Sequence, residues 1–304
     1  MTKKLLVLMV DGIAAEHYAQ DRGRFPHFAM IEDQGFRVER LRSEVLGTSL
    51  PGRTSILTGV TADQSGVYGN KIWDAAEACF RYANPDDIRV PTLAARTQAA
   101  DKRVASLGFG MVRPQDADVF HTPFWVDEFL QRARDTEPVP SDASWLRVFH
   151  HDPGERFREI CAAAGVPAQL PSFPVVDRMS RLLYEVQADA LICDWAGLIA
   201  ASPDAPDLVL VEYLATDTVQ HGAGYRSEVT QWVTELADQA LGKILQRLRA
   251  AGTLDQWNIA VMSDHGHSAI QQVIRPQVVL PGVRVQCEGQ CLLVAPRDAA
   301  ELAY

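Results

Sequence analysis

The stretch LLVLMVDG, residues 5–12, decides how this chain is expected to fold. A mainly apolar run ends there in an acidic residue, and two later runs repeat the arrangement. The three runs with their acidic residues are Leu5–Val10 with Asp11, Leu208–Tyr213 with Asp217, and Trp257–Met262 with Asp264. Continuous rather than alternating apolar character is typical of strands that are covered on both faces, as in a parallel α/β sheet.

Helical periodicity lies between these runs. Apolar residues recur at three- and four-residue steps over 225–251 and 175–199, and a shorter helix is expected over 91–100. A further strand is expected over 103–109. Strands that alternate with helices favour a doubly wound or mixed α/β sheet, in which ligands collect outside the carboxyl ends of the strands. The three acidic residues fall at that edge.

Composition and charge restrict the class of protein. The 304 residues are 47% hydrophobic, which suits one large domain over 1–304. A formal charge of −10 and a pI near 5.3 argue against nucleic acid or an anionic membrane as partner. An anionic substrate would need local positive charge, which bound cations supply.

Regular periodicity breaks down over 111–174, which predicts an insertion or lid within the domain.

The cysteines and the apolar runs bear on the compartment. Five scattered cysteines favour a reducing environment, so a cytoplasmic location is expected. Cys287 and Cys291 have no second Cys or His pair nearby and are interpreted as ordinary strand or loop residues. The N-terminal run is too short for a signal peptide. No stretch reaches about 18 uncharged apolar residues, so no membrane span is expected.

Carboxylates and imidazoles recur in two short motifs. Asp217 and His221 form D-x-x-x-H, and Asp264 and His265 are adjacent in SDHGH. Such ligands suit zinc, manganese or similar divalent ions. Each motif alone is weak evidence, because an Asp at a strand end often forms a turn or caps a helix. Together with Asp11 they predict a metal site at the sheet edge.

The segment TSLPGRTSILTG, residues 48–59, carries two hydroxyl groups ahead of a short helix. Thr48 or Ser49 could be a nucleophile. Alternatively, either could cap the helix by accepting a hydrogen bond from a free backbone N–H group. Pro51 is expected to open the helix, with Leu50 extended before it. Ser49 would then lie at the mouth of the helix. The residues alone leave both functions open.

These motifs, in this order, resemble the type I phosphodiesterase and nucleotide pyrophosphatase branch of the alkaline phosphatase superfamily. The resemblance runs from Asp11 to His265 and is carried by VDG at Asp11, SLPGRTSILTG at Ser49, NKIWD at Asn70, D-x-x-x-H at Asp217 and SDHG at Asp264. The family places an asparagine 21 residues after its nucleophile, and this count from Ser49 reaches Asn70. The resemblance therefore implies Ser49, rather than Thr48, as the nucleophile.

The same resemblance implies a fold and cofactors. The fold would be an α/β alkaline-phosphatase-like sandwich, with a central, mostly parallel β-sheet flanked by helices. Two divalent metal ions, zinc or else manganese, would be bound. Asp11, Asp264 and His265 would hold one ion together with the Ser49 oxygen, and Asp217 and His221 would hold part of the other.

The implied activity is hydrolysis of phosphodiester or pyrophosphate bonds in a small-molecule phosphoester. Ser49 would attack phosphorus as an alkoxide, Asn70 would donate to a non-bridging oxygen, and water would hydrolyse the phosphoseryl intermediate. A phosphomonoesterase or phosphonate hydrolase is the alternative within the superfamily. A catalytically silent metal- or phosphoester-binding protein is the alternative outside enzymes.

Two positions depart from the family pattern. The pattern has a further histidine well downstream that completes the second metal site, whereas no histidine follows His267 here. Truncation of the C-terminal part, substitution by His267, or a weak second site would each account for this. Truncation or a degenerate ending is preferred, with His267 interpreted as a solvent-facing loop residue two positions from His265. Leu50 stands where this branch often has an aromatic residue that stacks on a nucleobase, so a nucleotide preference is not predicted.

Overall fold

A six-stranded sheet forms the centre of the computed structural model, which describes residues 3–39, 41–124, 126, 150–152, 155–172 and 174–295. The strands are β1 (Lys4–Val10), β2 (Lys71–Asp74), β3 (Cys79–Tyr82), β4 (Val104–Leu107), β5 (Val119–His121), β6 (His150–His151), β7 (Leu208–Tyr213), β8 (Trp257–Met262), β9 (Val285–Glu288) and β10 (Cys291–Val294). The central order is β6-β5-β4-β7-β1-β8, while β2–β3 and β9–β10 form separate antiparallel pairs.

The helices surround this sheet. They are α1 (Ala15–Asp21), α2 (Pro26–Gln34), α3 (Ser49–Thr58), α4 (Ala62–Ser65), α5 (Leu93–Ala99), α6 (Arg156–Ala164), α7 (Arg178–Ala201), α8 (Ala215–Ala223), α9 (Glu228–Ala250) and α10 (Pro276–Val279). Among the described residues, no helix combines the length and apolar character that crossing a membrane requires.

The parallel pairing of the central strands confirms the predicted sheet. Val7 of β1 pairs with Leu210 of β7 on one side and with Ala260 of β8 on the other, both in parallel register. The strands β4 and β5 continue the parallel arrangement, and only β6 is antiparallel. The three runs predicted as strands thus lie side by side, with their carboxyl ends at one edge.

The continuous apolar character of β1 follows from cores on both faces of the sheet. Leu6, Leu8 and Val10 pack into the core beneath α7 and α9, whereas Val7 and Met9 pack into the core beneath α3 and α5. Successive side chains of a strand point to opposite faces, so both sets must be apolar. An alternating strand would have left one face polar.

The two long helices lie close to their predicted bounds. The helix predicted over 225–251 begins later, at Glu228, because the Ser227 side chain caps it by accepting a bond from Thr230 N. The Asp177 side chain caps α7 in the same way through Ser180 N. Trp232 on α9 is 44% exposed, so this apolar residue lies at the edge of the core.

The predicted insertion over 111–174 is only partly described. At its two ends, β5 and α6 belong to the main sheet and its core, where Phe157 is fully buried. Its central part, residues 127–149, lies outside the described residues, so the insertion or lid stays a prediction. The single domain over 1–304 also stays a prediction.

Cys287 and Cys291 lie on β9 and β10, and all five cysteines are free.

The first turn of α3 lies directly against the chain that leaves β8. A Cβ atom on Gly52 would come within 2.9 Å of both the carbonyl carbon and the Cβ of Asp264. No alanine fits this space without moving one of the two segments. Gly52 therefore sets the distance between α3 and the Asp264 backbone.

We expect Gly52→Ala to destabilise the protein by about 1–3 kcal/mol, because overpacking against backbone outweighs the helix propensity gained. The matched control is Gly222→Ala in α8, where a Cβ meets nothing within 4 Å. That control should be neutral or stabilising by up to about 1 kcal/mol. Urea unfolding followed by tryptophan fluorescence measures both. Equal effects at the two glycines would contradict the close approach.

Candidate active site

The carboxyl ends of two neighbouring strands, β1 and β8, bring the first candidate ligand group together. Asp11 follows β1, and Asp264 and His265 follow β8, which pairs with β1. One ligand atom from each of the three side chains lies within 4.8 Å of the others. Asp11 Oδ1 is 3.4 Å from His265 Nε2, and Asp264 Oδ2 is 3.8 Å from it. The parallel sheet thus assembles residues that are some 250 positions apart in the chain.

A second group is built on α8, which follows β7. Asp217 and His221 are one helical turn apart, and Asp217 Oδ2 lies 3.4 Å from His221 Nε2. His267 joins them, with its Nε2 atom 3.4 Å from Asp217 Oδ1. Its side chain is only 16% exposed, so the expectation that His267 faces solvent is wrong. His265 Nε2 lies 3.9 Å from Asp217 Oδ1 and so connects the two groups.

Several carboxylate oxygens in these groups have no hydrogen-bond partner among the described residues. They are Asp11 Oδ1, Asp217 Oδ1 and Asp264 Oδ2, and each is buried. A buried, unsatisfied carboxylate oxygen is unfavourable unless a cation or donor reaches it. Two Asp/His sets with such oxygens are the donor chemistry that zinc and manganese prefer. The residues present therefore fit a pair of divalent cations.

The protonation equilibria reflect the crowding of charge. Burial, followed by the negative charge of Asp264, raises the pKa of Asp11 well above its usual range, against the opposing effect of Arg53. Burial also acts to raise the pKa of Asp217, but the hydrogen bond to His221 and the nearby imidazoles lower it overall. The same hydrogen bond raises the pKa of His221.

Ser49 is the first residue of α3, and its Oγ atom lies 3.0 Å from His265 Nε2. Thr48 occupies the N-cap position, yet its side chain makes no capping hydrogen bond, and its buried Oγ1 atom has no hydrogen-bond partner among the residues described. The sequence-based expectation for Leu50 and Pro51 is wrong in detail. The helix begins two residues earlier than expected, so Leu50 is helical and Pro51 is third in the helix, where its missing N–H is still harmless.

Asn70 is held beside the helix entrance by two sets of hydrogen bonds. Its Oδ1 atom accepts a bond of 2.8 Å from Leu50 N, so the side-chain amide is oriented with Nδ2 as its donor. Its backbone N donates to Glu288 Oε2 at 2.7 Å, and Lys71 N donates to Glu288 Oε1 at 3.2 Å. Burial raises the pKa of Glu288. The β9–β10 hairpin thus positions the asparagine through Glu288.

Sequence reasoning missed the central charge of the site, Arg53. Its guanidinium is buried and contacts three carboxylates. Nη2 donates to Asp11 Oδ2 and, at 2.6 Å, to Glu212 Oε1, while Nη1 lies 3.6 Å from Asp264 Oδ2. Burial opposes the charge, but Glu212, Asp11 and Asp264 raise the pKa of Arg53 well above its usual range. A glutamate inside the apolar run LVLVEY was the signal available in the sequence.

A second missed residue, Asp189, fixes the helix that carries Asp217 and His221. Its Oδ2 atom accepts hydrogen bonds of 2.8 Å from Leu214 N and 2.7 Å from Ala215 N. These N–H groups belong to the open first turn of α8, whose partial positive charge favours a carboxylate. Asp189 lies on α7 and is buried. The packing of α7 thereby sets the position of the second ligand group.

Comparison with known proteins gives one family match and several similar solved structures. Residues 5–301 match the family described as type I phosphodiesterase / nucleotide pyrophosphatase. Murine ectonucleotide pyrophosphatase / phosphodiesterase 5 aligns with a TM-score of 0.61 and 16% identity, over 99% of this chain and 68% of that chain. Its inactive form in complex with AMP aligns at 0.58 and 17% identity, over 93% of this chain and 63% of that chain.

The human counterpart aligns with a TM-score of 0.53 and 16% identity, over 87% of this chain and 57% of that chain. At such identities the likeness establishes the fold, and the function has to be argued from the site. In the alignment with the AMP complex, this chain spans 63% of the relative's length.

We expect Arg53→Met to lower the free energy of unfolding in metal-free buffer by about 3–5 kcal/mol, because three buried carboxylates lose their cation. The matched control is Arg24→Met, which removes an exposed pair with Glu235. That control should change stability by about 0–1 kcal/mol. Urea unfolding in the presence of a chelator compares the two.

The double variant Arg53→Met with Glu212→Leu removes one of the stranded carboxylates together with the cation. We expect it to be more stable than Arg53→Met alone. It also keeps the test informative if the single variant does not fold. A single variant as stable as the Arg24 control would contradict a central role for Arg53.

Proposed function

The chain belongs to the type I phosphodiesterase/nucleotide pyrophosphatase family, and on that premise we propose that it hydrolyses phosphodiester or pyrophosphate bonds. Ser49 is the proposed nucleophile, and two divalent metal ions are the proposed cofactors. One observation carries the proposal: the Ser49 hydroxyl and both ligand groups meet around His265, whose Nε2 atom is 3.0 Å from Ser49 Oγ and 3.9 Å from Asp217 Oδ1.

The local geometry supports Ser49 over Thr48. The Ser49 hydroxyl contacts a residue of the first candidate ligand group, and Ser49 is the first residue of α3, where backbone N–H groups lack helical partners. Thr48 Oγ1, by contrast, has no hydrogen-bond partner in the part of the chain that the structure describes. In the proposed reaction Ser49 Oγ forms a bond to phosphorus as the bond to the leaving oxygen breaks. Water then cleaves the phosphoseryl intermediate and restores the hydroxyl.

The proposed ligands are Asp11, Asp264 and His265 for one ion, and Asp217 and His221 for the other. Cations at these sites would supply Lewis-acid activation of the serine hydroxyl and neutralise phosphate charge. Zinc is preferred because the sets mix imidazole with carboxylate, and manganese is the alternative. The net charge of −10 repels an anionic substrate, and bound cations would offset that repulsion at the site.

Asn70 is the proposed donor to a non-bridging phosphate oxygen. Its Oδ1 atom is already engaged by Leu50 N, so rotation of the amide would break that bond. Its Nδ2 group is therefore oriented in advance, as electrostatic stabilisation of a transition state requires. A donor held in one orientation beside Ser49 suits a phosphoryl group attached to that residue.

The substrate proposed is a small phosphoester. The murine relative was solved in complex with AMP, which makes nucleotides the first substrates to test. Leu50 is 4% exposed and packs in the core, so it offers no surface on which a nucleobase could stack. A phosphomonoester or phosphonate substrate is the alternative outcome. The cytoplasmic location, which rests on the free cysteines, stays a prediction.

We expect Ser49→Ala to reduce hydrolysis of a chromogenic phosphodiester by roughly 10³-fold or more, because the nucleophile is removed. Zinc- or manganese-loaded protein would be assayed, with the matching monoester in parallel. Ser55→Ala, in the same helix, is the hydroxyl control and should retain turnover. Thr48→Ala separates the two candidate nucleophiles.

Loss of turnover in the Thr48 variant but not in the Ser49 variant would reverse the assignment. The diester to monoester ratio of the parent protein chooses between the two hydrolase activities. Absence of any turnover, with metal bound, would support the catalytically silent alternative.

A further inference from the structure

His267 has the geometry of a metal ligand that is held in place by the backbone of Gly12. Its Nδ1 atom lies 3.1 Å from the Gly12 carbonyl oxygen, so Nδ1 carries the proton and donates it. The Nε2 atom is then the acceptor, and it faces Asp217 Oδ1 at 3.4 Å. Metal-binding histidines characteristically use one nitrogen for the ion and anchor the other to a carbonyl or carboxylate.

We infer that His267 is the third protein ligand of the second metal site and completes it with Asp217 and His221. This inference rests on the proposed metal sites, not on turnover. Ligand atoms of the three residues lie within 4.8 Å of one another. The rings of His221 and His267 are 5.0 Å apart and nearly perpendicular, so both nitrogens can point at one centre. Three protein ligands leave an open position for water or substrate.

Gly12 is the positioning residue for this ligand. Its carbonyl also accepts a bond of 2.9 Å from Gln220 Nε2, so it anchors both His267 and the residue that precedes His221. Its backbone N lies 3.4 Å from Asp264 Oδ1 in the first ligand group. The peptide groups on either side of Gly12 therefore touch both candidate sites.

Only glycine fits at position 12. Its φ angle is +73°, in the left-handed region. A Cβ atom would lie 2.9 Å from His267 Nδ1 and Cε1, and 3.0 Å from Asp217 Oδ1. A side chain here would displace two of the three ligands of the second site. The turn after β1 thus determines where His267 can lie.

Zinc titration by calorimetry, with metal content measured after dialysis, tests the inference. The parent protein should bind two zinc ions, and His267→Ala should bind one tightly. The loss at the second site should exceed the roughly 10–100-fold that removal of an outer-shell partner causes. Gly12→Ala, which crowds both His267 and Asp217, should weaken the second site by about 10–100-fold. His267→Asp, which restores an oxygen ligand, should recover part of the affinity.

Ser268→Ala, at the neighbouring exposed position, is the control for disturbance of the loop and should bind two ions like the parent. The visible spectrum of the cobalt-loaded protein gives a second readout, because loss of a nitrogen ligand changes it. Unchanged binding of two ions by His267→Ala, an equal loss in Ser268→Ala, or a single ion in the parent would each overturn the inference. Two ions in a parent protein that hydrolyses neither ester would leave it standing while the proposed activity fails.

Discussion

The site depends on one buried guanidinium among three carboxylates. Arg53 contacts Asp11, Glu212 and Asp264 in the interior, where isolated charges are strongly unfavourable. One oxygen of Asp11 faces Arg53, and the other faces His265 without a hydrogen-bond partner. The arginine thereby holds the carboxylate in a single orientation and leaves its second oxygen directed at the candidate metal site.

The other candidate site residues are placed by contacts between backbone segments. Gly52 lets α3, and with it Ser49, approach the chain after β8, while Gly12 lets His267 approach the turn after β1. Asp189 and Glu288 act indirectly. Asp189 accepts hydrogen bonds from backbone N–H groups at the start of α8, and Glu288 accepts one from the backbone N–H of Asn70. Each of these interactions fixes a main-chain segment, so the functional side chains are set by rigid elements rather than by flexible loops.

Much of the fold was predictable because its signal is local. The strands at 208–213 and 257–262 have their predicted bounds, since continuous apolar runs require two covered faces. Asp11, Asp217 and Asp264 could be grouped because parallel strands end at one edge. The start of α3 was not predicted correctly, because proline tolerates any position in the first helical turn. The resemblance to a family, rather than local physics, selected Ser49 and Asn70.

Local sequence patterns thus suffice for the parallel α/β sheet, for the edge of that sheet where the candidate ligands lie, and for their residue types. Only the tertiary structure decided that Arg53 balances the carboxylates and that His267 joins Asp217 and His221. The physical reason is distance along the chain. Periodicity and capping act over a few residues, whereas Arg53 meets Glu212 across 159 positions and His267 meets Gly12 across 255. Such contacts exist only once the sheet and helices have brought the segments together.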